Sequence, residues 1–345
     1  MRMNKITEYQ RQQIANLEYN KEAYKMGAKI RIYRTPADGQ AGKPMTNKNS
    51  IVAGYVADNG HRWSGMDYSV IVDNPRNPHV VRVLFRGTTP VDIRDVVTDI
   101  SQAVPEVRRQ MRDAAAKLHE IMANPAYKGC KIEVYGHSLG SMQAQTALAD
   151  LDDREASRIS GAWMYEGPNM YSKLNARQQK RAQSYGSRVY NYIDARDPII
   201  QAGRAGGMAY DDDGKVVGRV QRIQSKNIGN PVKQHVWGGY EWTKDGGLAL
   251  DSKTISRIRD LRLRKLSRYA KSLQGGNPLS SSQRLFLDTE QALVLVGAAD
   301  ASADSFQAGV ETDFSSGLRR KLVAELDAVF AVQPPEIVQQ AQMAG

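Results

Sequence analysis

Ten residues constrain this chain more than any others: Lys131 to Gly140, reading Lys-Ile-Glu-Val-Tyr-Gly-His-Ser-Leu-Gly. Ile132, Val134 and Tyr135 read as a short buried strand. The run then breaks into Gly136-His137-Ser138-Leu139-Gly140, a G-x-S-x-G sequence, and Ser141 to Leu148 follows as good helix. Strand, glycine-flanked turn and helix is the context that a nucleophile elbow requires. Gly136 and Gly140 are expected to support the turn, because a Cβ at either place would meet the neighbouring strand or helix. The helix that follows turns its unpaired N-terminal N–H groups toward the serine, where an oxyanion would develop.

The rest of the chain is read outward from this turn. Tyr68–Asp73 and Val80–Phe85 read as strands joined by Asn74-Pro75-Arg76-Asn77-Pro78, a hairpin leading into the main sheet. A helix from Glu106 to Ala123, with Pro105 at its start, precedes the elbow strand. The elbow helix is expected to run to Asp150, followed by a strand over Ile159–Tyr165, a helix over Lys173–Ser184 and a strand over Arg188–Asp194. Strand and helix in alternation predict a mostly parallel sheet, with right-handed crossovers and helices on both faces, and the elbow set within it makes the expected fold class an α/β-hydrolase. Upstream, Lys5–Lys25 reads as a polar helix with a thin apolar stripe, and residues 34–50 as loop. Beyond Ser252 the pattern is helical only, over Ser252–Gln274, Ser282–Gly297 and Leu318–Phe330. These limits give a catalytic domain over 1–250 and a helical C-terminal region over 251–345.

Composition narrows the classes. No apolar run approaches the ~18 residues of a membrane span, and the N-terminus has no apolar signal core. The chain is therefore expected to be cytoplasmic when made. One cysteine, Cys130, excludes an internal disulfide framework. The net charge of +11 favours an anionic membrane surface or an acidic partner. No zinc-ligand spacing or nucleic-acid-binding signature accompanies it, so no nucleic acid and no metal is expected.

A serine nucleophile needs a base, and the chain has five histidines. His61 and His79 precede the sheet core, His119 lies within a helix, and His137 adjoins the serine with its side chain expected to point away from the base position. His235 alone follows the elbow, as the order serine, acid, histidine demands. Between them, Asn191-Tyr-Ile-Asp194-Ala-Arg-Asp197-Pro198 supplies two carboxylates. Asp197, in the loop past the strand, can turn back toward the histidine. Asp194, nearer the strand, can equally be solvated or paired with Arg196, and stays an alternative.

Leu84-Phe85-Arg86-Gly87-Thr88 resembles the F-R-G-[ST] element that precedes Gly-His-Ser-Leu-Gly in class 3 lipases, and Ala195-Arg196-Asp197-Pro198-Ile199 is similar to that family's acid loop. The resemblance covers residues 65 to 240 and weakens around the histidine. It implies that the N–H groups of Thr88 and Leu139 form the oxyanion hole and that Asp99 steadies the oxyanion loop. It also implies a mobile amphipathic lid between Thr88 and Pro105, where Ile93, Val96, Val97, Ile100 and Val104 fall at helical spacing, a stripe that equally suits permanent packing on the sheet.

These readings lead to a hydrolase of lipid carboxylic esters, a lipase or phospholipase A, with a Ser138–His235–Asp197 triad and no cofactor. The competing readings are a soluble esterase, thioesterase or acyltransferase, and a non-catalytic scaffold that retains the fold. A leaderless lipase with a helical tail also resembles exported bacterial effectors, which need a neutralising immunity protein. The basic Ser252–Gln274 helix suits an anionic membrane, and equally suits the acidic remainder of the C-terminal region.

Overall fold

The structure, a computed structural model, describes residues 6–40, 43–87, 105–276, 278–280 and 283. It divides into two units, Met1–Asp251 and Ser252–Gly345.

The first unit is built on one eight-stranded sheet. Its strands are β1 (Lys29–Tyr33), β2 (Ser50–His61), β3 (Asp67–Val72), β4 (Val80–Phe85), β5 (Lys131–His137), β6 (Ile159–Tyr165), β7 (Val189–Ile193) and β8 (Arg219–Arg222). They lie side by side in chain order. The first four pair antiparallel, and β4 through β8 pair parallel. Parallel strands that advance in one direction through right-handed crossovers place the connecting helices on one face. Pro105–Ala123, Leu139–Asp150 and Ala176–Ser184 form that layer, and their buried residues join Ile132, Val134, Ala162, Met164 and Val189 in the main core.

The other face of the same strands presents Tyr135, Trp163, Tyr165 and Tyr192, the alternate positions of the period-two pattern. An N-terminal helix, Glu8–Asn16, covers this face. Its Arg11 guanidinium lies 3.4 Å over the Trp163 ring, and Tyr192 Oη donates to Glu8. Thr7 caps the helix in a reciprocal capping box with Gln10.

The expected Lys5–Lys25 helix is shorter than the pattern suggested. It ends at Asn16, and two 3₁₀ turns follow, separated by the extended Asn20, whose side chain accepts from the Glu22 N–H. A polar side chain competing for backbone bonds ends the helix. Helix Lys173–Ser184 likewise starts late, at Ala176, behind an Asn175–Gln178 capping box. Strands β1, β2 and β8 were not anticipated. In the second unit, Ser252–Gln274 forms one helix. The helices expected over Ser282–Gly297 and Leu318–Phe330 lie outside the described residues. No helix among the described residues is long and apolar enough to cross a membrane.

Candidate active site

Strand β5 runs to His137, and the chain turns sharply into the helix beginning at Leu139. Ser138, at the turn, has φ 55° and ψ −126°. A side-chain-bearing residue takes up such a conformation only when its surroundings enforce it. They do so here at close quarters. The Ser138 N–H donates to the Tyr165 carbonyl of β6 at 2.9 Å. A Cβ on Gly136 would lie 2.3 Å from the Gly140 carbonyl oxygen, and one on Gly140 would lie 2.1 Å from the Phe85 carbonyl oxygen. Both glycines are therefore steric requirements of the turn. A predominantly parallel sheet with helices on both faces, carrying a strained serine between strand and helix, decides the fold. It is the α/β-hydrolase fold.

Asp197 and His235, the expected acid and base, follow β7 and β8. Asp197 follows β7 and caps the helix Pro198–Ala205, its Oδ1 accepting the Ile199 N–H at 2.6 Å. That bond aims the other oxygen away from the helix, and Asp197 Oδ2 lies 2.7 Å from His235 Nδ1. Both side chains are buried. Asp194 takes no part in this contact: it accepts the Arg196 N–H at 2.8 Å and Gln234 Nε2 at 2.5 Å. His235 sits in an irregular turn, Gln234–Gly238, in which Trp237 has φ 63°. Among the described residues, neither Ser138 Oγ nor His235 Nε2 makes a hydrogen bond.

The other histidines are engaged elsewhere. His61 contacts Asp67, His79 contacts Asp73, and His119 contacts Glu155 and Asp150. His137, expected to point away from the base position, packs beside His235, and its ring centroid lies 4.6 Å from that of His235. His137 Nε2 donates to the His235 carbonyl at 2.8 Å, which leaves Nδ1 to accept from Tyr19 Oη at 2.8 Å. Burial, and then the neighbouring His235, hold the His137 pKa below the usual histidine value. Glu18 is fully buried beside it and accepts the His137 N–H at 3.3 Å. Burial pushes the Glu18 pKa up despite that imidazole. His137 is thus a neutral shelf beneath His235, with both ring nitrogens occupied.

A second buried carboxyl, Glu166, stands directly after β6 with φ 50°. Burial, and then the charge of Asp197, push its pKa well above the usual glutamate value. Sequence reasoning passed over it. The rule that sites form at the carboxyl ends of parallel strands would have flagged Tyr165-Glu166-Gly167 as readily as the acid loop.

Leu139 stands at the first helical position, where no intrahelical carbonyl is available to its N–H. Its side chain packs in an apolar cluster with Met111, Met142, Met170, Met208 and Ile199. Gly87, at the exit of β4, is so close to the elbow that a Cβ there would lie 2.7 Å from the His137 carbonyl oxygen. Thr88, Asp99 and the expected lid fall outside the described residues. No group of three or more metal-ligating side chains occurs among the described residues.

No protein-family model and no curated protein matches this chain. Similar solved structures include a fungal lipase at 19% identity, covering 64% of this chain and 80% of its own, with a TM-score of 0.43. A second is a mutant form of MDLA from Penicillium cyclopium, at 17% identity, 71% and 85% coverage and a TM-score of 0.42. A third is a mono- and diacylglycerol lipase from Aspergillus oryzae, at 18% identity, 50% and 64% coverage and a TM-score of 0.34.

Proposed function

We propose that the chain is a serine hydrolase of lipid carboxylic esters, acting through Ser138, His235 and Asp197. The observation that carries this reading is the buried Asp197–His235 hydrogen bond of 2.7 Å beside a serine held at φ 55° in an elbow. Asp197 fixes the imidazole tautomer with the proton on Nδ1, so Nε2 is the basic nitrogen. It takes the Ser138 proton as the oxygen attacks the ester carbonyl, and Asp197 stabilises the resulting imidazolium. The proton then passes to the departing alkoxide, and water repeats the cycle on the acyl-enzyme. The Ser138–His235 contact closes as substrate arrives, since catalytic hydrogen bonds are often long before substrate tightens them. The Leu139 N–H, with Thr88 as its expected partner, binds the tetrahedral oxyanion, each good donor contributing about 3–4 kcal/mol.

The cluster around Leu139 is apolar and rich in adaptable methionines, which suits the elbow to an acyl substrate. The exposed Arg108, Arg109 and Arg112 line a pocket of about 330 Å³ on the helix that supplies Met111 to that cluster, which favours a substrate presented at an anionic surface. A phospholipase A acting as an exported effector, with a neutralising partner in the producing cell, fits this chemistry. The test is labelling with a fluorophosphonate followed by hydrolysis assays. Labelling is expected in the wild type and lost in Ser138→Ala. Faster cleavage of micellar phospholipid than of a short soluble ester separates a lipid enzyme from a general esterase. A wild type that neither labels nor hydrolyses is a scaffold.

A further inference from the structure

We propose that Glu166 is a positioning residue of the hydrolytic site, clamping the turn that carries Asp197 to the turn that carries His235. The proposal rests on the triad reading above.

The clamp is built from five bonds. Both Glu166 oxygens accept the Asp194 N–H, at 3.1 and 2.9 Å. Tyr240 Oη meets Glu166 Oε1 at 2.5 Å. Asp194 in turn begins the acid turn, its carbonyl accepting the Asp197 N–H at 3.0 Å. Its side chain also reaches Gln234, the residue before the base, at 2.5 Å. Glu166 therefore holds the acid turn by its backbone and the base turn by Tyr240. The join has no slack: a Cβ on Gly239 would lie 2.4 Å from Gln234 Nε2 and 2.7 Å from Asp194 Oδ2.

A residue needed only to fill this space would be apolar. Glu166 instead adds a third buried carboxyl beside Asp194 and Asp197, and forms no ion pair among the described residues. It also occupies a left-handed backbone conformation. Buried, unpaired carboxyls and strained non-glycine residues both cost stability and gather at functional sites. The titratable groups facing Glu166 are Asp194, Asp197, Tyr240 and Tyr210, none of them cationic. Those facing His235 are Asp197 and His137, with Glu18 and Tyr19 behind the latter. Glutamine keeps the shape of Glu166 and its Oε1, the oxygen that accepts both the Tyr240 hydroxyl and the Asp194 N–H, and is therefore the conservative variant.

The test compares Glu166→Gln, Glu166→Ala and Tyr240→Phe on a short soluble ester, with active sites counted by fluorophosphonate titration. Glu166→Ala should lower kcat about tenfold or more per titrated site with little change in KM, as expected of a misplaced catalytic group. Loosening Asp197 from His235 also weakens support for the imidazolium, so the acid limb of kcat/KM moves to lower pH. Glu166→Gln should restore most of kcat and leave the limb in place. Tyr240→Phe removes one bond of the clamp and should shift kcat and the limb in the same direction as Glu166→Ala, so it serves if the alanine variant does not fold. Wild-type kcat and an unmoved limb in Glu166→Ala or Tyr240→Phe would overturn the proposal, as would Glu166→Gln falling as far as Glu166→Ala. An NMR titration of the His235 ring reads the same shift without turnover. A wild type that hydrolyses no ester would thus sink the hydrolase reading while the clamp is still decided.

Discussion

Asp194 and Asp197 stand three residues apart on one turn, both fully buried, and yet do different work. Asp197 divides its two oxygens between the N-terminus of a helix and the His235 imidazole, at 2.6 and 2.7 Å. Asp194 spends its oxygens on the Arg196 N–H and Gln234, both within the turns that frame the site. The difference is one of direction: Pro198 starts a helix directly after Asp197, and capping that helix leaves Oδ2 facing the histidine. Asp197→Asn should therefore lower kcat on a soluble ester by about 10⁴, through loss of the tautomer and of imidazolium stabilisation. Asp194→Asn should cost about tenfold at most, since an amide still accepts from Arg196. Steady-state kinetics on the two variants check this, and a reversed order would make Asp194 the acid. The preference for Asp197 was legible in the sequence because the Asp-Pro pair marks a loop that turns back on a strand end. Glu18 and His137 were not legible as a pair, because they meet across 119 residues of chain.

At the scale of elements, the strands that could be read were those made of β-branched and aromatic runs, β3 to β7. Strand β2 was hidden by Gly54, whose Cβ would lie 2.5 Å from the Val72 carbonyl oxygen, and by a register shift between Val56 and Asp58. Strand β8, Arg-Val-Gln-Arg, is four residues with one apolar side chain and takes its place by pairing with β7. The helix layer carries a device that no periodicity reveals. His119, on Pro105–Ala123, lies 3.2 Å from Asp150 at the end of the elbow helix and 2.8 Å from Glu155 on Asp153–Ser157. Burial opposes its charge, but the bonds to Glu155 and Asp150 outweigh it, and its pKa stands above the ordinary 6.5. Between 6.5 and that raised value the folded state holds more protons than the unfolded, so stability falls as pH rises. The contribution is complete below pH 6.5 and lost as pH passes through the folded value. With the ring 38% exposed, solvent screens much of it. Thermal melts should show His119→Gln below wild type by about 1–3 °C at about pH 5.5, with the gap closing by about pH 9. A gap that is constant with pH would mean that the ring contributes packing alone.

For the whole molecule, the question is where its positive charge acts. Helix Ser252–Gln274 holds eight basic residues and one acidic, but residues 252–345 together hold twelve against ten. Residues 1–251 hold 36 against 27, so most of the surplus lies in the α/β-hydrolase unit. Within it, Arg108, Arg109 and Arg112 crowd the first two turns of a helix, where the dipole disfavours cations. Arg109 is offset by Glu106, while Arg108 and Arg112 form no ion pair among the described residues. Under the proposed lipid hydrolysis, these exposed cations, on the helix whose Met111 packs with Leu139, are the ones that would meet an anionic surface near the elbow. Each cation close to such a surface contributes about 1 kcal/mol, so removing two should lower partitioning roughly 30-fold. Co-sedimentation with phosphatidylserine-containing vesicles should thus weaken at least that far in Arg108→Glu/Arg112→Glu, because reversal adds repulsion to the lost attraction. Reversal at Arg262, Arg264 and Lys265 should do less, since residues 252–345 together carry only two more basic than acidic side chains. Wild-type binding should also fall with added salt and vanish on neutral phosphatidylcholine. If the C-terminal reversal abolishes binding and the Arg108/Arg112 reversal spares it, the membrane contact belongs to the helical region; equal binding to neutral vesicles would remove electrostatics from the account altogether.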